Sequence, residues 1–211
     1  MSNSKIFAPL LDLCSTLVGE SNLIPKERKE RLDQLIHYFS DKYKNGITPK
    51  ATVICTHNSR RSHIGQLWLS VAGAYFNLPH LETFSGGTDI TAFNPRAVQA
   101  LKKVGFEIEA EDPSIENPVY KIRWKEEMRP YAAFSKKYDD SPNPSEDFAA
   151  IMVCSSADKG CPFVVGCDLR LALPFDDPKA FDETPLEAAK YEERCRDIGR
   201  EILYVFSKVV S

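Results

Sequence analysis

The sequence predicts an α/β fold, a parallel, doubly wound sheet with helices on both faces. Three observations carry it. Short β-prone runs alternate along the chain with longer segments of helical period. Two of those runs, Ala51 to Ile54 and Phe148 to Val153, are followed or closed by polar, turn-tolerant residues and lead to a cysteine, Cys55 and Cys154. In such a sheet the C-terminal ends of the strands gather the functional groups. The length of 211 residues suits one α/β domain with additions.

Residues 1 to 48 precede the first strand and read as a helical N-terminal extension. Ile6, Leu10, Leu11, Cys14 and Leu17-Val18 recur at roughly helical spacing. Pro25 opens a second helix with Leu32, Leu35-Ile36 and Tyr38-Phe39 on one face, and Gly46 and Pro49 end it. Cys14 belongs to the apolar face of the first helix. Residues 49 to 211 form the main domain. After the Ala51 to Ile54 strand and a short loop, Ile64, Leu67-Trp68, Val71 and Ala74-Tyr75 make a helix that covers the sheet. Leu81 to Phe84 is the next strand, with Ser85-Gly86-Gly87-Thr88 as a turn. Asn94-Pro95 starts a helix, a capping residue followed by proline in the first turn. Ala97, Val98 and Leu101 face inward, Gly105 stops the helix, and Phe106 to Ile108 is a short strand.

Residues 112 to 147 read as an insertion. Val119 to Trp124 alternates in period two, Tyr131 to Phe134 is its hairpin partner, and Lys136 to Asp147 is a loop rich in Pro, Asp and Ser. Tyr120, Trp124 and Tyr131 either rim a cleft or form the packing face of that hairpin. Leu169 to Leu173 is the last strand. Pro185 to Val210 is a long amphipathic helix whose inward stripe is Ala188-Ala189, Cys195, Ile198, Ile202-Leu203 and Val205-Phe206.

Composition narrows the function. Net charge is −3 with a pI near 5.9, so no electrostatic case exists for nucleic acid or an anionic membrane. No apolar stretch has transmembrane length. The N-terminus, broken by Pro9 and Asp12, is a poor signal peptide. Six cysteines in a chain of this size fit a reducing cytoplasm, where clustered cysteines serve catalysis, redox exchange or metal binding.

The informative stretch is Thr52 to Ser62, a strand, a loop and a helix start spanned by Cys55-x5-Arg61-Ser62. A loop entering a helix N-terminus turns successive backbone N–H groups inward and makes a nest for an anion. The expected oxyanion-binding residues are Thr56, His57, Asn58, Ser59, Arg60, Arg61 and Ser62. Arg61 offers a planar fork of donors to two oxygens. The same field favours thiolate over thiol at Cys55, and Ser62 can donate to that sulfur. Asn58 tolerates left-handed backbone and can tie the loop down. The alternative is a buried cysteine at a strand end before a solvated helix start.

Val53 to Ser62 resembles the phosphate-binding loop of the low-molecular-weight protein tyrosine phosphatase superfamily, which includes the thioredoxin-coupled arsenate reductases. His57 stands where that family usually has Gly, and Arg60 where it often has a small residue or Cys. Both add bulk and positive charge. The run Ser85-Gly86-Gly87 to Gly105-Phe106 also resembles the arsenate reductase branch, as does Cys154-Ser155-Ser156-Ala157-Asp158-Lys159-Gly160-Cys161-Pro162. Members of that branch carry two further cysteines at this spacing. A zinc site would show Cys-x2-Cys or nearby histidines, which are absent here; inert packing is the other alternative. Cys167 has no counterpart in the family. Some members hold potassium near the loop; Asn58 and Ser85 match part of that site, but Gln66 replaces an acidic ligand, so no metal is expected.

The resemblance covers residues 50 to 208 less the insertion. It implies a four-stranded parallel sheet of the phosphotyrosine protein phosphatase I type. It implies an arsenate reductase in which Cys55, Arg61 and Asp177 act on the oxyanion. Asp177 is the general acid because it directly precedes Pro178; Asp176 is the neighbour to exclude. Cys154 and Cys161 then relay a disulfide across a segment that must be mobile. No bound cofactor is implied, only an external dithiol, thioredoxin or glutaredoxin with glutathione. The alternative is a phosphatase that hydrolyses phosphomonoesters, phosphotyrosine proteins included, through a cysteinyl-phosphate, although Lys179 replaces the aromatic that phosphatases tend to place after the Pro. A third class, an oxyanion or redox sensor without turnover, rests only on the unexplained extension.

Overall fold

A computed structural model describes residues 6–78, 80–161 and 163–209. Its centre is a sheet of four parallel strands in the order β2-β1-β6-β7, with β1 Lys50–Cys55, β2 Glu82–Gly87, β6 Phe148–Met152 and β7 Cys167–Ala172. Helices cover it, as the alternating pattern predicts. The central strands β1 and β6 are almost wholly buried, which is why they read as apolar runs.

Helix α3 (Arg61–Tyr75) leaves the loop after β1 and lies on the sheet. A Cβ at Gly65 would stand 2.9 Å from Val53 Cγ1, so a glycine there lets helix and strand approach closely. The long helix α6 (Glu187–Val209) crosses α3 where Trp68 donates to Cys195 Sγ at 3.4 Å. It also meets the N-terminal helices α1 (Ala8–Gly19) and α2 (Lys26–Lys44). Phe39 of α2 packs on Phe206 with ring centroids 4.8 Å apart, and Arg28 and Glu201 form an ion pair at 2.9 Å. Cys14 and Cys195 are fully buried, and burial pushes both thiols up to about 12, so they are packing residues. Helix α4 (Pro95–Lys103) starts as expected, with Asn94 Oδ1 accepting from Arg96 N at 2.9 Å.

Four expectations need correction. The strand near Phe106 becomes β3 (Glu107–Ala110) and does not enter the parallel sheet. It pairs antiparallel with β4 (Tyr120–Arg123), which pairs with β5 (Tyr131–Ala133), so the added piece is a three-stranded sheet rather than a hairpin. Ser85 to Gly87 is strand, not turn. Gly87 has partners on its open side, donating to Lys136 O and accepting from Tyr138 N, both at 2.9 Å. Residues 155–160, expected as the mobile segment between Cys154 and Cys161, form a short helix, α5 (Ser155–Gly160). Ala188 and Ala189 are exposed rather than inward, because α6 engages the core only from Tyr191 onward.

The small sheet answers the question about its aromatics in favour of packing. Tyr120 sits edge-on to Phe93 at 5.3 Å, Trp124 is buried, and the Tyr131 hydroxyl meets the Gln66 side-chain amide. The N-terminal arm reaches the same sheet through Phe7 N, which donates to Trp124 O at 3.1 Å. Among the described residues no helix is long and apolar enough to cross a membrane.

Candidate active site

Strand β1 delivers Cys55 to the C-terminal edge of the sheet, and residues 56–60 turn there before α3 begins. The turn is held by side chains from the frame itself. Asn58 takes a left-handed backbone with φ of 44°. Its Nδ2 donates to Ser62 Oγ at 2.9 Å. With that lone pair occupied, the Ser62 hydroxyl is free to donate to Cys55 Sγ, 3.1 Å away. Asn58 Oδ1 accepts from Lys136 N at 3.0 Å, and Ser135 Oγ donates to His57 O at 2.8 Å. The exit from the small sheet is therefore a strap across the back of the loop. A Cβ at Gly87 would lie 2.7 Å from both Asn58 N and Thr56 O, so strap, strand and loop meet there without room for a side chain.

Behind the loop stands His63, in the first turn of α3. It is buried, stacked on Phe93 with centroids 4.0 Å apart, and 3.3 Å through Nδ1 from Ser85 Oγ. Burial, with the nearby Lys136 cation adding to it, pushes its pKa down to about 3. The ring is neutral and serves as a wall. Lys136 is itself buried, and burial pulls its ammonium down to about 8.

In front of the loop is a pocket of about 190 Å³ lined by Cys55, Thr56, His57, Ser59, Arg60, Arg61, Ser156, Asp177 and Lys179. Arg61 forks onto the 175–177 segment: Nη1 donates to Phe175 O at 2.7 Å and Nη2 pairs with Asp177 Oδ2, while its buried Nε has no partner among the described residues. Asp177 also caps the short turn after it by accepting from Lys179 N at 3.1 Å. Asp176 points away, 99% exposed and 3.7 Å from Arg194, so of the two carboxylates only Asp177 reaches the pocket. The Arg60 guanidinium is largely buried against the start of α6, donating to Tyr191 Oη at 2.8 Å and facing Asp182 at 3.5 Å. His57 is exposed at the rim.

The two further cysteines sit differently. Cys154 lies two residues past β6, the strand beside β1, buried, with Sγ 3.3 Å from Thr56 Oγ1 and accepting from Ala157 N at 3.3 Å as the cap of α5. Its sulfur is on the same sheet edge as Cys55. Cys161 lies past the end of α5, with Sγ 3.6 Å from Tyr138 Oη and 3.3 Å from Phe163 O. Seven residues of mostly helical rise separate the two by about 10 Å along the axis, beyond the Cα spacing of a disulfide. The structure thus sets Cys154 against Thr56, the neighbour of Cys55, and separates Cys161 from Cys154 by α5. Sequence reasoning missed Lys136 and Tyr138, which it read only as loop, Ser135, which it left between hairpin and loop, and Ser156 and His63, which no local pattern marks.

A parallel sheet of this order, with a cysteine-to-arginine loop at its C-terminal edge and an aspartate facing it, defines a protein with the low-molecular-weight phosphotyrosine phosphatase fold. The low-molecular-weight phosphotyrosine phosphatase of Vibrio cholerae superposes on 75% of this chain and 95% of its own, with a TM-score of 0.50 at 14% identity. In sequence the chain is similar to arsenate reductases. It is 26% identical to arsenate reductase 2 of Staphylococcus epidermidis over 125 residues, covering 59% of this chain and 75% of that one, and 25% identical to arsenate reductase 2 of Staphylococcus haemolyticus over the same shares. No protein-family model matches. Fold and sequence together support the low-molecular-weight phosphatase superfamily, with its arsenate reductase branch, as the group this chain resembles.

Proposed function

We propose that this protein is an arsenate reductase that works through a three-cysteine relay. The observation that carries the reading is the 3.3 Å contact between Cys154 Sγ and Thr56 Oγ1, which sets a second thiol directly behind a residue lining the oxyanion pocket. Arsenate enters the nest of loop N–H groups of residues 56 to 62 and competes with Asp177 for the Arg61 fork. The Cys55 thiolate attacks arsenic, and Asp177, released from Arg61 and protonated, gives its proton to the leaving oxygen, which departs as water. The Cys154 thiolate then attacks Cys55 Sγ. The S–As bond pair stays on arsenic, arsenite leaves, and a Cys55–Cys154 disulfide remains.

Cys161 next attacks Cys154 Sγ and frees Cys55 as thiolate. That step requires α5 to unwind, since its six helical residues hold the two sulfurs apart. An external dithiol, thioredoxin or glutaredoxin with glutathione, completes the cycle, which suits a cytoplasmic setting. Arsenate-dependent oxidation of thioredoxin by the purified protein tests the proposal, with Cys161→Ser as control. The variant should release one equivalent of arsenite and stop with Cys55 held in disulfide. Normal cycling of that variant, or no arsenate-dependent oxidation by the wild type, would sink it.

A second reading is favoured by the Arg61–Asp177 pair, which serves hydrolysis equally well. Here Cys55 takes a phosphoryl group from a phosphomonoester such as a phosphotyrosine protein, and water removes it. Cys154 then only shields Cys55 from over-oxidation. Hydrolysis of p-nitrophenyl phosphate that survives Cys154→Ser, without arsenate turnover, would select this reading.

A further inference from the structure

We propose that the relay has a fourth member, Cys167, and that the disulfide handed to the external dithiol is Cys161–Cys167 rather than Cys154–Cys161. The inference rests on the reductase reading for delivery of the disulfide to Cys161.

Three observations lead to it. First, Cys161 and Cys167 aim at consecutive carbonyls of the segment between them: Cys161 Sγ donates to Phe163 O at 3.3 Å and Cys167 Sγ to Val164 O at 3.1 Å. Adjacent carbonyls lie a few ångströms apart, so the sulfurs are within about 12 Å, and joining them requires the connecting segment to shift but leaves α5 intact. A charge on the Cys161 sulfur is felt at Cys167, in keeping with that closeness. Second, Cys161 is buried and Cys167 is not, and Phe163 and Val165 between them stand in solvent, 75% and 71% exposed. An incoming dithiol protein reaches Cys167 before it reaches Cys154, which is buried against Thr56. Third, Arg170 donates to Cys161 O at 3.2 and 3.0 Å and to Asp158 O at 2.8 Å, which anchors Cys161 to β7, the strand that Cys167 begins.

The exchange balances without a further reactant. The Cys167 thiolate attacks Cys161 Sγ, the Cys161–Cys167 bond forms, and the Cys154 thiolate leaves. Cys154 regains its proton from solvent and again caps α5 through Ala157 N. The transfer has a direction. The Cys154–Cys161 disulfide exists only with α5 unwound, whereas Cys161–Cys167 lets the helix re-form. Burial raises the Cys167 thiol above its ordinary value, and a disulfide is most stable on sulfurs whose thiolates are least favoured.

The test uses the full chain, one equivalent of arsenate without reductant, acid quenching, alkylation and tryptic mapping. Peptide 160–170 contains Cys161 and Cys167 and no other cysteine, while Cys154 lies in peptide 138–159. The wild type should give 160–170 as an unalkylated monomer with an internal disulfide. Cys167→Ser should instead give 160–170 cross-linked to 138–159. It should release the first equivalent of arsenite at the wild-type rate, and recycle with thioredoxin about tenfold more slowly. Cross-linking of 138–159 to 160–170 in the wild type, with Cys167→Ser cycling at the wild-type rate, would overturn the fourth member and leave the three-cysteine scheme standing. No arsenate-dependent oxidation of any cysteine would remove the reductase reading and this inference with it.

Discussion

Acid should destabilise this protein through His63, and the size of the effect can be worked out. The ring is 1% exposed, stacked on Phe93 and flanked by Lys136, and its pKa falls from about 6.5 to about 3. Between those values the unfolded chain binds a proton that the folded chain refuses. Stability is therefore full above pH 6.5 and is lost as pH falls toward 3. At pH 5 the loss is about 1.5 pH units, or roughly 2 kcal/mol, and it approaches about 5 kcal/mol near pH 3. The Lys136 ammonium stays protonated throughout this range and does not offset it. Urea unfolding of the wild type and of His63→Gln at pH 7 and pH 5 isolates the contribution, because the carboxylates titrate alike in both. The wild type should lose about 2 kcal/mol more than the variant over that interval. Parallel losses, equal within about 0.5 kcal/mol, would refute the argument that this imidazole is a buried neutral wall.

Three further outcomes follow from other parts of the molecule. Under either enzymatic proposal Asp177→Asn should lower kcat by about 10²- to 10⁴-fold while leaving Cys55 alkylation by iodoacetate intact; an unchanged kcat would exclude it as the acid. Gly199→Ala puts a Cβ 2.6 Å from Trp68 Cε2 at the α3–α6 crossing, and overpacking there should cost about 1–3 kcal/mol in a denaturant titration. Arg28→Ala leaves Glu201 buried without its ion-pair partner. The urea midpoint should fall by the equivalent of about 3 kcal/mol at neutral pH, and Glu201, whose carboxyl burial already raises, should take up a proton, so the deficit shrinks in acid.

Local patterns that carry their own physical cause were legible before folding. Cys55, Asn58, Arg61 and Ser62 could be read together because a strand, a turn and a helix start are set by neighbours within ten residues. The Asn58–Ser62 and Ser62–Cys55 bonds lie inside that span, whereas the partners of Arg61 and of Asn58 Oδ1 are 78 to 116 residues away. The Asn94-Pro95 helix start and the buried stripes holding Cys14 and Cys195 were legible for the same reason. The six residues of α5 were not, since so short a helix shows less than two turns of period and is capped by a cysteine rather than by Ser, Thr, Asp or Asn.

The sequence by itself determined which atoms can react and in what local frame: a sulfur at 55 ahead of a guanidinium at 61, and two more sulfurs at 154 and 161. Only the tertiary structure decided what stands behind and beside them. The strap of residues 135–138 and the strand at Gly87 depend on partners 49 to 78 residues away, and β3 is drawn from the parallel sheet by β4, 10 to 16 residues on. The physical reason is that backbone hydrogen bonds in a sheet are indifferent to side-chain identity. The residues show that a strand exists, and its neighbour is chosen by how the whole chain closes its core.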